Sequence, residues 1–393
     1  MKLLALAEGA DHVCYRYRLA AFEPALARAG WQLECLPLAK NSLTRFRQLR
    51  HARHADAVVL QRKLLPFWQL RRLRKNARRL IFDLDDAVFH RDSYHRKGIQ
   101  SWQRMTHFWA TVYCADAVLA GNEFLRRQAA AFVEPERVYL FPTCVDPSRY
   151  PLARHEPGGP LRLVWIGQRS TLPSLDAASQ QLAAAADACN ALTRSSRRSL
   201  EHALRGVPGS EFGAAQPDGG TARSPFPTEV ASPAGMELRV VSDVFPKLPG
   251  VKVVERPWSA SGEAAELAAA HLGISWLPDD DWSRGKCGLK VLQYMAAGLP
   301  VVANRVGVHT DMIVDGQTGF LADTPQEWAA AAARLAADPT LRATMGIAAR
   351  RRVEQIYSVA AWQQQFIGLL GRLSRGERHG SPTEQAAPRG QAA

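Results

Sequence analysis

The chain has 393 residues, of which 47% are hydrophobic, and its net charge is +13. This length and apolar content are enough for two hydrophobic cores, so two domains are expected. No apolar run approaches the ~20 residues of a membrane-spanning helix, and the six apolar residues before Glu8 are too few for a secretory signal. The six scattered cysteines form no C-x-x-C or Cys/His pattern, which argues against zinc and disulfides and predicts a cytoplasmic protein.

Short apolar segments alternate with helical segments throughout the chain. The predicted strands are 2–7, 32–36, 57–60, 80–83, 117–120 and 138–141, then 161–166, 237–241, 251–255, 273–277 and 301–303. Helices are predicted at 15–29, 101–114 and 327–337, among others. This alternation predicts an α/β fold with two doubly wound parallel sheets, whose ligands lie at the carboxyl ends of the strands.

Turn-rich composition divides the chain. The predicted domains are 1–150 and 161–360, separated by the linker 151–160 and followed by a C-terminal helix at 361–375. Residues 183–235 are rich in Gly, Pro and Ser and lack sustained periodicity, which predicts a disordered insertion after a short helix. The tail 376–393 has the same composition and the same prediction.

Positive charge is concentrated in the first domain. Residues 44–79 contain twelve Lys or Arg and one acid, Asp56. Within 68–80, apolar residues recur at helical spacing and leave Arg and Lys on the opposite face. Two interpretations stay open: a solvated basic face, or a patch for an anionic membrane or acceptor. Nucleic acid is disfavoured because aromatic residues are not interleaved with the charges.

The segment 278–307 (PDDDWSRGKCGLKVLQYMAAGLPVVANRVG) has the composition of an anion-binding unit. It contains a polar loop, an amphipathic helix, a Gly-Leu-Pro stop and a short buried strand. The start of the helix and the cations Arg284, Lys286 and Lys290 are suited to holding a diphosphate.

This segment resembles the nucleotide-sugar-binding unit of the GT-B glycosyltransferases, specifically the family-4-like "glycosyl transferases group 1" proteins. The resemblance continues in ADAVLAGN (115–122), FPTCVD (141–146), DGQTGFL (315–321) and Trp362. It implies two Rossmann-like domains facing a cleft, a nucleotide-diphosphate sugar as donor and retention at the transferred sugar. No metal or other cofactor is implied. The acceptor, whether glycan, lipid or small molecule, is not identified.

The resemblance also implies roles for individual residues. Donor binding is assigned to Gly167, Arg169, Arg284, Lys286, Lys290 and Gln293. The family usually has two glutamates eight positions apart, which fall here on Gly285 and Gln293. The Gln293 amide is still able to hydrogen-bond ribose hydroxyls, and Asp279, Asp280 or Asp281 are candidate substitutes for the first glutamate. A degenerate GT-B protein that binds a nucleotide sugar or anionic glycan without transfer is the alternative.

The first domain carries the remaining candidates. IFDLDDAVF (81–89) places Asp83, Asp85 and Asp86 at a strand end, and Asp85 and Asp86 are predicted to be catalytic together with Lys290. This loop also resembles the D-x-D nucleophile loop of haloacid-dehalogenase-type phosphatases, with Asp83 and Asp85 in the active positions. The phosphatase alternative is weaker because the usual Gly/Thr is missing and the strand is the fourth. Arg16 and Arg18 are predicted on the acceptor side.

Overall fold

The computed structural model describes residues 1–205 and 233–377, which form two α/β domains. Each domain is built on a six-stranded sheet, and neighbouring strands pair in parallel. The predicted fold class, two doubly wound parallel sheets, is confirmed. Helices cover the sheets, as parallel sheets require, and the strands are correspondingly apolar.

The first sheet is formed by β1 (Lys2–Ala7), β2 (Gln32–Pro37), β3 (Ala57–Gln61), β4 (Leu80–Leu84), β5 (Ala117–Ala120) and β6 (Val138–Leu140). Its strand order is β2-β1-β3-β4-β5-β6. The helices of this domain are α1 (Val13–Arg18), α2 (Glu23–Arg28), α3 (Ser42–Gln48), α4 (Phe67–Asn76), α5 (Trp102–Cys114) and α6 (Glu123–Ala130). One face of the sheet packs on α4, α5 and α6, and the other on α1 and α2.

The second sheet is formed by β7 (Gly159–Ile166), β8 (Pro233–Ser242), β9 (Lys252–Pro257), β10 (Leu272–Ser275), β11 (Val301–Ala303) and β12 (Gly319–Leu321). Its order is β12-β11-β10-β7-β8-β9. The helices that follow the first domain are α7 (Leu172–Ala177), α8 (Ser179–Arg205), α9 (Glu263–Ala268), α10 (Asp281–Arg284), α11 (Leu289–Ala296), α12 (His309–Met312), α13 (Pro325–Ala337), α14 (Pro339–Arg352) and α15 (Val359–Arg375).

The prediction of a disordered insertion at 183–235 is wrong for its first part, because α8 continues to Arg205. The helix is anchored by Leu182, Ala185, Ala186 and Cys189, which are all buried in the core of the second domain. Their spacing of three, four and seven residues is helical. Residues 206–232 of the predicted insertion and 378–393 of the predicted tail lie outside the described residues.

Two predicted helices have different limits in the structure. The basic helix predicted at 68–80 is α4, which ends at Asn76 because the chain must be extended to enter β4 at Leu80. The helix predicted at 15–29 is divided into α1, a short 3₁₀ turn and α2. The second part begins afresh because Pro24 occupies its first turn, where a missing N–H has no effect.

The last helix returns to the first domain. Its side chains Trp362, Phe366, Leu369, Leu370 and Leu373 are buried in the same cluster as strands β1 and β3. The two segments that connect the domains lie side by side, because Val145 of the first and Ser358 of the second form a parallel bridge. The predicted helix 361–375 is therefore part of the core of the first domain.

Candidate functional site

The predicted donor residues flank the point where strand order reverses in the second sheet. Gly167 and Arg169 follow β7 directly, and the segment from β10 to α11 carries Arg284, Lys286 and Lys290. Strands β7 and β10 are neighbours. The strands that follow β7 in the chain, β8 and β9, lie on one side of this pair, and those that follow β10, β11 and β12, lie on the other. Because ligands of doubly wound sheets bind in the crevice at this position, the fold gathers these residues at a suitable edge.

Among the predicted donor-binding cations, Lys290 has the surroundings that favour anion binding most. Its ammonium lies 4.4 Å from the centre of the Trp165 ring. Gly167 lies against the same indole, since a Cβ at this position would be 2.4 Å from it. Burial, and then the nearby Lys286, lower the pKa of Lys290 to about 7, and no carboxylate offsets this shift within the described residues. A bound anion would restore the charged form.

The two predicted donor-side arginines differ. Arg169 is exposed at the start of the 3₁₀ turn after β7, and its backbone N–H donates to Asp243 Oδ1 at 3.2 Å. Arg284 is also exposed, but it pairs with Asp279 at 2.9 Å and Asp281 at 3.3 Å. Because two carboxylates already offset its charge, Arg284 holds its own loop together, and the geometry does not support its predicted donor role.

Asp83 is fully buried in an ion pair with Arg18. Arg18 Nη2 and Nε donate to Asp83 Oδ1 at 2.6 and 2.8 Å, and Gln61 Nε2 donates to Asp83 Oδ2 at 2.8 Å. Arg18 Nη1 donates to the Phe141 carbonyl at 2.9 Å. Arg18 is therefore occupied and inaccessible to an acceptor, contrary to its predicted role. Arg16 is half-buried, 5.6 Å from the Tyr17 ring centre.

Asp85 and Asp86 follow this pair and meet cations from both domains. Arg62 Nη2 donates to Asp86 Oδ2 at 2.7 Å, and its Nε lies 3.4 Å from Asp85 Oδ1. From the second domain, Lys286 Nζ donates to Asp86 Oδ2 at 3.1 Å. Asp85 Oδ1 is buried without a hydrogen bond, and burial raises the pKa of Asp85 despite the opposing effect of Arg62.

Arg62 adopts a left-handed backbone with φ of 58°. For a residue with a Cβ this conformation costs about 1–2 kcal/mol, so it persists only where contacts hold it. The contacts with Asp85 and Asp86, and a hydrogen bond from Nη1 to Cys14 Sγ at 2.6 Å, supply that restraint.

The loop before α11 is docked on the first domain. Asn122 Nδ2 donates to the carbonyls of Arg284 and Lys286 at 3.0 and 2.9 Å. At Gly285 a Cβ would lie 2.5 Å from the Ala87 Cβ and 2.7 Å from its backbone nitrogen. Any side chain at position 285 would therefore separate the two domains in this arrangement.

Gln293 lies in a buried polar network that joins the domains. Its Nε2 donates to Glu263 Oε1 at 2.6 Å and to Tyr17 Oη at 3.0 Å, with Tyr150 Oη at 3.4 Å. The other Glu263 oxygen accepts from Trp258 Nε1 at 2.8 Å. Gln293 thus holds a carboxylate supplied by a different helix, α9.

Sequence reasoning missed four residues of this region. Arg62 has a detectable signal, because it lies two residues after the predicted strand 57–60 and so at the ligand edge of the sheet. Asn122 ends the family-like segment 115–122, but its contact with the second domain has no signal in the sequence. Trp165 and Glu263 have no signal at all, since their importance depends on contacts between segments that are distant in the sequence.

Residues 250–338 match the family described as glycosyl transferases group 1. The chain is also similar to solved structures over nearly its whole length. Sucrose-phosphate synthase from Thermosynechococcus elongatus superposes with a TM-score of 0.62 at 15% identity, covering 96% of this chain and 100% of that one. Anabaena HepE in complex with UDP-glucose gives 0.58 at 15%, covering 94% and 99%.

The chain has the GT-B fold. Residues 250–338 of its second domain match the group 1 glycosyltransferase model, so the predicted resemblance is confirmed. Among curated relatives, D-inositol 3-phosphate glycosyltransferase from Acidothermus cellulolyticus is 37% identical over 106 residues, which are 26% of this chain. The matched residues span about a fifth (22%) of that relative's length.

Two positions of this chain depart from the glutamate pair that the GT-B group 1 proteins usually have. The position expected to carry the first glutamate is Gly285, which is closed by Ala87 of the facing domain. The second is Gln293, whose side-chain amide donates to the Glu263 carboxylate at 2.6 Å. The predicted substitutes for the first glutamate are engaged within their own loop: Asp280 caps α10, while Asp279 and Asp281 pair with Arg284.

Proposed function

We propose that the protein is a glycosyltransferase that moves a sugar from a nucleotide-diphosphate donor to an acceptor, with retention and without a metal ion. The observation that carries the proposal is the partly buried Lys290 ammonium, which packs on Trp165 beside Gly167 at the switch point of the second sheet and whose pKa is lowered to about 7. HepE, which has the same fold, was solved with UDP-glucose. A nucleotide sugar is therefore the donor class that the proposal adopts.

In this mechanism, fixed cations offset the charge that develops on the leaving diphosphate. Lys290 and Arg169 are the contacts from the second domain, and preorganised charges of this kind act without reorganisation during the reaction. Lys286 joins them by exchanging Asp86 for the diphosphate, since its side chain is partly exposed. Three cations then supply what a metal ion supplies in other transferases.

The acceptor is placed against the first domain. Asp85 is the carboxylate that the proposal assigns to accept a proton from an acceptor hydroxyl, because burial raises its pKa and so makes it a stronger base. Asp86 is held by Arg62 and keeps the loop in place. Arg16 is the remaining candidate for contact with an anionic acceptor.

The membrane contact predicted for the basic helix belongs to this proposal. In α4 the side chains of Arg71 and Lys75 are exposed. Within the described residues no helix is long and apolar enough to cross a bilayer, so contact through α4 would be peripheral.

A degenerate GT-B protein is the second candidate, and a specific observation favours it. Neither position 285 nor 293 carries a carboxylate, and the first is closed by Ala87. The phosphatase alternative is not supported. A nucleophile must reach phosphorus, whereas Asp83 is fully buried and bound by Arg18 and Gln61.

The first test is a thermal-shift panel of UDP-, GDP- and ADP-glucose. A donor present at 100 times its dissociation constant stabilises the folded state by about 2.7 kcal/mol. Lys290→Ala and Arg169→Ala are expected to abolish most of the shift, while Arg351→Ala, an exposed cation on α14, leaves it unchanged. No shift with any of the three donors would contradict nucleotide-sugar binding.

The second test separates transfer from binding alone. Donor consumption, including slow hydrolysis to the nucleoside diphosphate, is measured in excess EDTA and in added Mg²⁺. Equal turnover in both is expected. Binding without turnover would establish the degenerate alternative, and turnover lost in EDTA and restored by Mg²⁺ would refute the metal-free mechanism.

A further inference from the structure

Helices α3, α4 and α5 present one continuous outer surface on the first domain. Aromatic contacts connect them. The rings of Phe46 in α3 and Trp68 in α4 are 4.8 Å apart, and those of Phe67 in α4 and His107 in α5 are 5.1 Å apart. On their inner side α4 and α5 share one apolar cluster with the sheet. Their outer sides therefore form a single face, which we call the docking face.

Large aromatic side chains are exposed on this face. Trp102 is 83% exposed and Tyr113 63%, and with the exposed Trp109 they occupy positions i, i+7 and i+11 of α5. That spacing places all three on one stripe of the helix. Phe67 and Trp68 at the start of α4 are also about half exposed. A soluble monomer rarely exposes so many large rings together unless they bind something.

The charge on the docking face is of one sign. The segments 42–54, 67–76 and 102–114 contain no Asp or Glu. Arg74 pairs with Asp116, whose carboxylate lies outside these segments. The exposed residues Arg47, Arg71 and Lys75 extend the positive charge across α3 and α4. A basic surface beside exposed Trp and Tyr has the composition of a membrane-interface element, where cations meet headgroups and rings enter the acyl boundary.

We propose that the docking face binds an anionic lipid bilayer, with the aromatic stripe of α5 inserted and α3 and α4 contacting headgroups. This extends the α4 contact of the proposed function by assigning insertion to α5. The face also has a defined relation to the cleft. Helix α5 is the next helix after the loop of Asp85 and Asp86. In its first turn Arg104 Nη1 donates to the His90 carbonyl at 2.8 Å, and Ser93 of the same connection lies 3.2 Å from Ser283 of the second domain, so Trp102 lies at the cleft end of the helix. Binding by this face brings the acceptor side of the cleft close to the bilayer surface.

The test is co-sedimentation of the full chain with sucrose-loaded vesicles of phosphatidylcholine containing 30% phosphatidylglycerol, compared with pure phosphatidylcholine. Strong binding to the anionic vesicles is expected, together with quenching of tryptophan fluorescence by brominated acyl chains. Arg71→Gln and Lys75→Gln are each expected to lower the partition coefficient about fivefold. Trp102→Ser with Trp109→Ser is expected to lower it further and to remove most of the quenching.

Matched controls lie on α14 of the second domain. Arg351→Gln removes an exposed cation and Ile347→Ser an exposed apolar side chain, and neither should change binding. Melting temperatures of all variants show whether they remain folded. Equal binding to both vesicle types, or wild-type quenching in the double tryptophan variant, would overturn the proposal. The proposal would also be overturned if the protein bound heparin but not vesicles and the charge variants weakened heparin binding. The docking face would then bind a soluble polyanion. No donor or acceptor is present, so failure here leaves the transferase proposal standing.

Discussion

The pH dependence of donor binding should follow the titration of Lys290. Its pKa near 7 means that about nine tenths of the ammonium is charged at pH 6 and about one tenth at pH 8. A bound diphosphate raises this pKa, so binding is tightest where the free protein is already protonated and weakens as pH rises through 7. Donor affinity is therefore expected to fall about tenfold between pH 6 and pH 8.

Neighbouring groups do not obscure this titration. Burial lowers the pKa of His309, near Lys290, to about 4, so this imidazole stays neutral throughout the range. Its ring nitrogens are hydrogen-bonded to Ser275 and to the Asn304 carbonyl, each at 2.9 Å. The change between pH 6 and pH 8 is thus assigned to Lys290.

The assay is titration with the nucleotide sugar that gives the largest thermal shift, at pH 6, 7 and 8. Lys290→Met should weaken binding at pH 6 by roughly 10- to 150-fold, which corresponds to about 1.5–3 kcal/mol for one charge-assisted contact. It should also abolish the pH dependence. Arg169→Ala is the matched control, because it removes a cation that stays charged and should weaken binding without changing the ratio between pH 6 and pH 8. Equal wild-type affinity at pH 6 and pH 8, or an unchanged ratio in Lys290→Met, would refute the reasoning.

Three further predictions concern the fold around the site. Arg18→Met leaves the Asp83 carboxylate buried and unpaired, so urea unfolding should show a free energy of unfolding lower by about 3–5 kcal/mol. The double variant with Asp83→Leu should recover most of this loss, and a loss below about 1 kcal/mol would contradict the buried pair. Gly285→Glu restores the family's residue but meets the facing domain, so its melting temperature should fall, whereas Gly9→Ala, with open space around it, should be neutral. Deleting 359–377 removes five buried apolar side chains worth about 1.5–3 kcal/mol each, so the first domain should lose cooperative unfolding, as intrinsic fluorescence would show.

Local pattern predicted most of the fold. The strands β1 to β11 and the loop–helix unit before Gly298 were predictable because their apolar spacing, glycine stops and caps act over a few residues. The three-residue strand β12 was not predicted, because it is too short to show a pattern of its own. The first turns of α8 carry a periodic signal in Leu182, Ala185, Ala186 and Cys189, but alanines beside a Gly- and Pro-rich segment obscured it. The packing of α8 against α13 determines the helical structure of this segment, and its amino-acid composition does not.

The site was predictable only in part. Gly167, Arg169, Lys286 and Lys290 are assigned by motif, and they lie at one edge of the second sheet because strand ends determine that edge. Arg18 and Gln293 have the right position but the wrong surroundings, because each is taken up by a partner from a distant segment, Asp83 and Glu263. Each pair forms inside one domain, Arg18 with Asp83 in the first and Gln293 with Glu263 in the second. Such pairs depend on tertiary packing between distant segments, which spacing along the chain does not encode.

The return of α15 to the first domain means that the domain translated first is completed last. Its strands end at Leu140, and α1 and α2 pack on one face of β1 and β3, yet the α15 side chains that complete this cover are not synthesised until after Ser358. At the usual 5–20 residues per second, the cover stays incomplete on the ribosome for roughly 10–40 s. During this interval the second domain can already fold on its own sheet. The first domain therefore keeps part of the apolar surface of β1 and β3 incompletely covered until the last helix has been made.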